Sequence, residues 1–191
     1  MLHLQSESTA RWLQQVDQHL DQILIDHAHC ERKAATVAMG LMNAYVEDRE
    51  LCDEMATIVN EELEHYALVL AHLDKRDIRF RRLPPGDYGR QLNALIQTHE
   101  PQRAVDRLLV AGLIEARSCE RFSLLSKHVS DTELAEFYGS LFESEARHHT
   151  TYVRLAEHFQ PREQVRQRLS ELAAEEANII AAGSPLPRMH S

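Results

Sequence analysis

Glu62-Leu63-Glu64-His65 and Glu145-Ala146-Arg147-His148 are two copies of Glu-x-x-His in a chain of 191 residues. On a helix, residues three apart share a face, so each copy sets a carboxylate beside an imidazole. Each copy also has a lone Glu upstream. Glu31 lies 31 residues before Glu62, and Glu115 lies 30 before Glu145. The tetrapeptide alone says little, because a chain this rich in Glu and His gives about one match by chance. The information is in what surrounds it.

Apolar residues recur at helical spacing on both sides of each motif. A short amphipathic helix is predicted over 6–20, with Trp12, Leu13, Val16 and Leu20 on one side, and a longer one over 22–46. The inward stripe of the second is Leu24, Ala28, Glu31, Ala35, Ala38, Met42 and Tyr45. A polar turn at 47–49 offers Asp48 as the cap of a helix over 49–75. That helix has the stripe Leu51, Met55, Ile58, Glu62, His65, Val69 and Leu73. From 76 to 100 the pattern breaks at Pro84-Pro85-Gly86, with a short helix over 88–97. Pro101 suits the first position of a helix to 127, with the stripe Leu108, Ala111, Glu115, Cys119 and Phe122. Ser130 followed by Glu133 is a capping-box pattern opening a helix to 158. Its stripe is Leu134, Tyr138, Leu141, Glu145, His148, Tyr152, Leu155 and Phe159. A polar helix over 161–182 ends at Gly183-Ser184-Pro185, and the residues beyond read as a loose tail.

The predicted fold is therefore all-α. It is a ferritin-like four-helix bundle of two helical hairpins joined by a long crossover, with extra N- and C-terminal helices, in a single domain over 1–191. Gly and Pro number only six each, which leaves few turns, and runs of alternating Val, Ile and Thr are missing. No apolar run reaches the roughly 18 residues a membrane span needs. The start of the chain has neither the basic nor the apolar region of a signal peptide. Cys30, Cys52 and Cys119 are odd in number and unpatterned, as reduced thiols of a cytoplasmic protein would be. The net charge of −9 argues against nucleic acid, but buried, metal-neutralised carboxylates would account for part of it.

With hairpin turns near residues 48 and 130, Glu31, Glu62, Glu115 and Glu145 all fall roughly 21–26 Å from their turns at about 1.5 Å per residue. Each hairpin thus sets a Glu opposite a Glu-x-x-His. Four carboxylates and two imidazoles, without thiolate, suit two iron or manganese ions rather than structural zinc. The predicted metal ligands are Glu31, Glu62, His65, Glu115, Glu145 and His148. No catalytic residue beyond them stands out.

Longer stretches carry a resemblance. Ile25-Asp26-His27-Ala28-His29-Cys30-Glu31-Arg32-Lys33-Ala34-Ala35, Glu61-Glu62-Leu63-Glu64-His65, Ile114-Glu115-Ala116-Arg117-Ser118-Cys119-Glu120-Arg121-Phe122 and Glu143-Ser144-Glu145-Ala146-Arg147-His148-His149 resemble the MiaE family of bacterial tRNA-modifying hydroxylases. The resemblance spans nearly the whole chain. It implies a non-haem di-iron monooxygenase that hydroxylates the isopentenyl side chain of 2-methylthio-N6-isopentenyladenosine beside the tRNA anticodon, using O2 and two electrons. It also implies that Glu62 and Glu145 bridge two iron ions while Glu31 and Glu115 bind terminally. With no nucleotide-binding Gly motif or Cys cluster, the electrons would come from a separate donor protein.

The best cluster for phosphate contacts is Lys75, Arg76, Arg79, Arg81 and Arg82 in the crossover, followed by Arg162, Arg166 and Arg168. His149 falls on a different stripe from His148 and reads as a core residue or a neighbour of the ligands. His27 and His29 read as polar residues or as neighbours of the ligands. Cys30 and Cys119 read as small core residues. Two other readings of the chain are a ferritin-like iron-binding and iron-oxidising protein without an organic substrate, and a metal-free helical interaction module. The oligomeric state is not specified by the sequence.

Overall fold

The computed structural model describes residues 2–191, and no strand occurs among them. The elements are α1 (Ala10–Ala44), α2 (Arg49–Asp74), α3 (Tyr88–Asn93), α4 (Gln102–His128), α5 (Thr132–Ala156) and α6 (Arg162–Ala182). The two helices expected over 6–20 and 22–46 form one run, broken only at His19 (φ −142°, ψ 38°). No Gly or Pro lies between residues 10 and 35, so nothing there stops the helix for longer than one residue.

The chain groups into two compact units. Of the described residues, one comprises 2–13, 86–186 and 190–191, the other 14–85 and 187–189. In the first unit α4 is the central helix, with α5, α6 and α3 packed on it. It is buried on most sides, including Leu108, Leu109, Leu113, Cys119, Phe122 and Leu125. Each such large apolar side chain removed from water contributes about 1.5–3 kcal/mol. In the second unit Leu51, Met55, Ile58, Val69 and Leu73 of α2 are buried, as are Leu24, Ala28, Ala35 and Ala38 of α1. The expected stripes are thus the inward faces, except at their ends, where Met42, Tyr45 and Phe159 are only half-buried.

Helix ends follow their caps. Asp48 accepts from the Leu51 amide at 3.0 Å and starts α2. At the start of α5 the expected cap Ser130 is displaced. Asp131 accepts from the Leu134 amide at 3.1 Å, because the helix begins one residue later than the capping-box pattern places it. Asp131→Ala should lower stability in urea melts by about 1 kcal/mol, and Ser130→Ala by much less. Pro101 stands one residue outside α4 rather than in its first turn. Gly183 closes α6 at φ 64°, and its amide donates to Ile179 O at 3.0 Å. A Cβ at that position would overlap the Arg11 guanidinium.

The first unit also buries a charge network that the helical periodicity does not show. Arg117 is fully buried, and its Nε and Nη2 each reach a Glu176 oxygen at 2.8 Å. Its Nη1 donates to Glu120 at 3.1 Å and its Nη2 to Ser6 O at 3.1 Å. Tyr88 donates to Glu176 at 3.0 Å, and the Ser8 amide to Glu120 at 2.8 Å. One guanidinium therefore satisfies two buried carboxylates, as an ion pair out of water requires.

The end of the chain is docked, not loose. In the second unit Arg188 donates to Pro84 O at 2.6 Å and the Met189 amide to Asp26 at 3.0 Å. In the first, His190 stacks on Tyr88 with ring centroids 4.8 Å apart, and Arg121 donates to Ser191 O at 3.0 Å. These interactions are made residue by residue, without a helical or strand period to announce them.

Candidate metal centre

Each unit carries one Glu opposite one Glu-x-x-His. In the second unit these are Glu31 on α1 and Glu62 and His65 on α2, and one ligand atom from each lies within 4.8 Å of the others. Glu31 and Glu62 are almost wholly buried, and His65 Nδ1 is 3.5 Å from Glu31 Oε2. One turn earlier on α1, His27 Nε2 lies 2.6 Å from Glu31 Oε1. Burial raises the Glu31 pKa, but the His27 charge and hydrogen bonds from His27, His65 and Glu62 outweigh it. They hold this carboxyl well below the usual carboxylate range, so Glu31 is anionic at neutral pH. Carboxylates this close hold either a proton or a cation between them.

In the first unit Glu115 on α4 and Glu145 and His148 on α5 likewise bring ligand atoms within 4.8 Å of one another, and all three are buried. His148 Nδ1 is 3.9 Å from Glu145 Oε2. Gly112 lets the two helices approach. A Cβ on it would stand 3.2 Å from Tyr152 Cβ and 3.5 Å from the His149 carbonyl. His149 Nδ1 donates to Gly112 O at 2.7 Å, which leaves Nε2 as acceptor toward His3 Nδ1 at 3.0 Å. His149 therefore ties α5 to α4 beside His148 without joining the triad. Burial, with Glu145 nearby, pushes the Cys119 thiol up to about 12. It stays a thiol, and the ligand set stays oxygen and imidazole.

The donor chemistry fits a divalent or trivalent cation in each triad. Buried carboxylates clustered this tightly repel unless positive charge joins them. They are the hard oxygen ligands, and imidazole the borderline nitrogen ligand, that iron and manganese take.

The basic run divides in two. Lys75 caps the end of α2, and Arg76 Nη1 donates to His72 O at 3.0 Å. Arg79, Arg81 and Arg82 are exposed on an extended segment. Phe80, between them, lies with its ring 4.7 Å from His29 and 5.9 Å from Tyr66. His29 Nε2 donates to Arg81 O at 2.9 Å. The segment is thus pinned to α1 two residues from Glu31 and to α2 one residue from His65. Of the second basic group, Arg168 is bound to Asp106 and Glu171, and Arg162 lies 3.5 Å from Glu157. Periodicity singles out neither Phe80 nor Tyr66, because each partners a residue on another element.

An all-helical, ferritin-like fold whose helices bury Glu/His clusters of metal-binding type defines the class. Among the described residues no helix is long and apolar enough to cross a membrane. The family described as tRNA-(MS[2]IO[6]A)-hydroxylase (MiaE) matches residues 1–191. A Pseudomonas putida protein named tRNA 2-(methylsulfanyl)-N(6)-isopentenyladenosine(37) hydroxylase is 36% identical over 94% of this chain and 87% of its own length. A Salmonella typhimurium protein of the same name is 29% identical over 91% of this chain and 81% of its own. A solved structure titled protein 43 with aldehyde deformylating oxygenase activity, from Synechococcus, is 43% identical with a TM-score of 0.94. That match covers 98% of this chain and 95% of the other. The chain belongs to the MiaE family, a family of hydroxylases, and it is an enzyme.

Proposed function

We propose that this enzyme hydroxylates the isopentenyl group of 2-methylthio-N6-isopentenyladenosine next to the tRNA anticodon. The observation that carries the reading is the family match over residues 1–191, with a buried Glu and Glu-x-x-His triad in each unit. In this reading the two triads act together as one centre within a single domain over 1–191, in the cytoplasm. Glu31, Glu62 and His65 with Glu115, Glu145 and His148 would hold two iron ions. Iron held there would supply O2 activation, with two electrons from a separate donor protein.

The chain's own residues do the rest. In each unit the buried apolar side chains around the triad keep bulk water out. His27 holds Glu31 anionic and oriented. Arg79, Arg81 and Arg82, pinned beside Glu31 and His65, meet the phosphates of the anticodon loop. Replacing all three with Ala should weaken tRNA binding. It should also flatten the slope of log K against log salt by about 2, at about 0.7 for each phosphate no longer neutralised on single-stranded RNA. A fluorescence-anisotropy titration at several salt concentrations measures this, and an unchanged slope would remove the segment from the interface.

The decisive test is mass spectrometry of tRNA nucleosides from a host lacking this protein. The hydroxyl on the isopentenyl adenosine should disappear and return with the gene, whereas an unchanged profile would refute the reading. The 43% identity to a structure titled for aldehyde deformylating oxygenase activity favours a second reading, an aldehyde substrate. Purified enzyme given a long-chain aldehyde, O2 and reductant separates the two, since only that reading expects release of the one-carbon product.

A further inference from the structure

Within the first unit, an open cleft of about 210 Å³ lies between the start of α4, the start of α6 and the segment before α4. Five of the protein's eleven Gln residues, Gln97, Gln102, Gln160, Gln164 and Gln167, line it. Its base is a closed ion pair. Arg168 Nε and Nη2 donate to the two Asp106 oxygens at 2.8 and 3.0 Å, Nη2 also to Leu95 O at 3.1 Å, and Nη1 to Glu171 at 3.1 Å. Asp106 also accepts from the backbone N–H of Gln97 at 2.9 Å. The charges there are spent on one another, and the geometry of the wall is fixed by them. Gln167 bonds to Glu171 at 3.1 Å, while the side-chain amides of Gln97, Gln102, Gln160 and Gln164 are directed to no other described residue.

Such a wall selects its ligand by chemistry. It offers four carboxamides, each with two donors and an acceptor, and no spare charge. An anion finds no unpaired cation in it, and a hydrocarbon would leave the amides unsatisfied. A neutral group edged with alternating donors and acceptors matches it. Gln pairs in bidentate fashion with a base edge, and an Arg plane provides a stacking surface. Arg103 and Arg166, next in sequence to the cleft residues Gln102 and Gln167, are exposed cations available to flanking phosphates. The cleft residues Gln102 and Asp106 lie 13 and 9 residues before Glu115 on the same helix, about 14–20 Å at 1.5 Å per residue. A few nucleotides span that distance.

We propose that this glutamine-lined cleft is an RNA subsite that holds one unpaired nucleobase other than the base modified. The proposal rests on the tRNA reading above. The test compares the parent protein with Gln102→Leu/Gln164→Leu for binding of an anticodon stem-loop RNA across a range of salt. Affinity should fall roughly tenfold, as expected when a base-edge pairing is removed, with the salt slope unchanged because every phosphate partner stays in place. Gln97→Ala/Gln160→Ala, in the segments before α4 and α6, should behave alike and guards against a folding artefact in the first pair. If the parent binds the RNA and both pairs bind within twofold of it, the cleft is overturned and the tRNA reading stands. A flattened slope in either pair would make this a phosphate site and overturn the base assignment. A parent that does not bind the RNA overturns both.

Discussion

Glu115→Ala should purify with half the parent's iron or less and should hydroxylate at least about 100-fold more slowly. Even partners one shell outside a metal cost about 10–100-fold when removed, and Glu115 is assigned as a ligand itself. The same substitution should have opposite effects on stability with and without metal. In stripped protein it removes one of three buried acidic or imidazole groups crowded within 4.8 Å, so the melting temperature should rise. In loaded protein it removes binding free energy that belongs only to the folded state, so the melting temperature should fall. Calorimetry of both forms, with metal analysis of each, reads this crossing. Glu136→Ala, an exposed site on α5, serves as control and should change neither. A Glu115→Ala protein with the parent's iron content and turnover would sink the ligand assignment.

Arg117→Met should be the most destabilising substitution away from the triads. It leaves Glu176 buried without its cation, at a cost of about 3–5 kcal/mol, while Glu120 keeps Arg121 Nε at 3.7 Å. At about 2–4 °C per kcal/mol for a chain of this size, the melting temperature should drop by about 6–20 °C. Arg117→Met/Glu176→Leu should be more stable than the sum of its single variants predicts, because the second change removes the stranded charge. Additivity of the two would mean that the pair is not coupled.

The inward faces were legible because the hydrophobic effect writes helical burial into a period of 3.6 residues. Glu31, Glu62, Glu115 and Glu145 stood out as charges on those faces, and all four are buried. The joint between the first two helices was less legible, since only His19 leaves helical geometry and no breaker residue marks it. Asp131 outcompeted Ser130 as a cap by a one-residue shift that patterns do not resolve. His27 was within reach of sequence reasoning, standing four residues before Glu31 on one helix. Phe80, Arg117 and Glu176 were not, because their partners are 51, 59 and 88 residues away in the chain. The docked end escaped for the same reason.

The Arg117 network also bears on how the first unit comes apart. One guanidinium and its two carboxylates join Ser6 and Ser8, Tyr88 at the start of α3, the middle of α4 and the middle of α6. Detaching Ser6, Ser8 or Tyr88 strips a hydrogen bond from a buried charged group, and parting α4 from α6 breaks the Arg117–Glu176 ion pair. The short helix α3, six residues long and too brief to persist alone, should therefore show amide-exchange protection that tracks α4 and α6 across denaturant. In Arg117→Met that shared protection should split, with α3 and the first residues exchanging on their own.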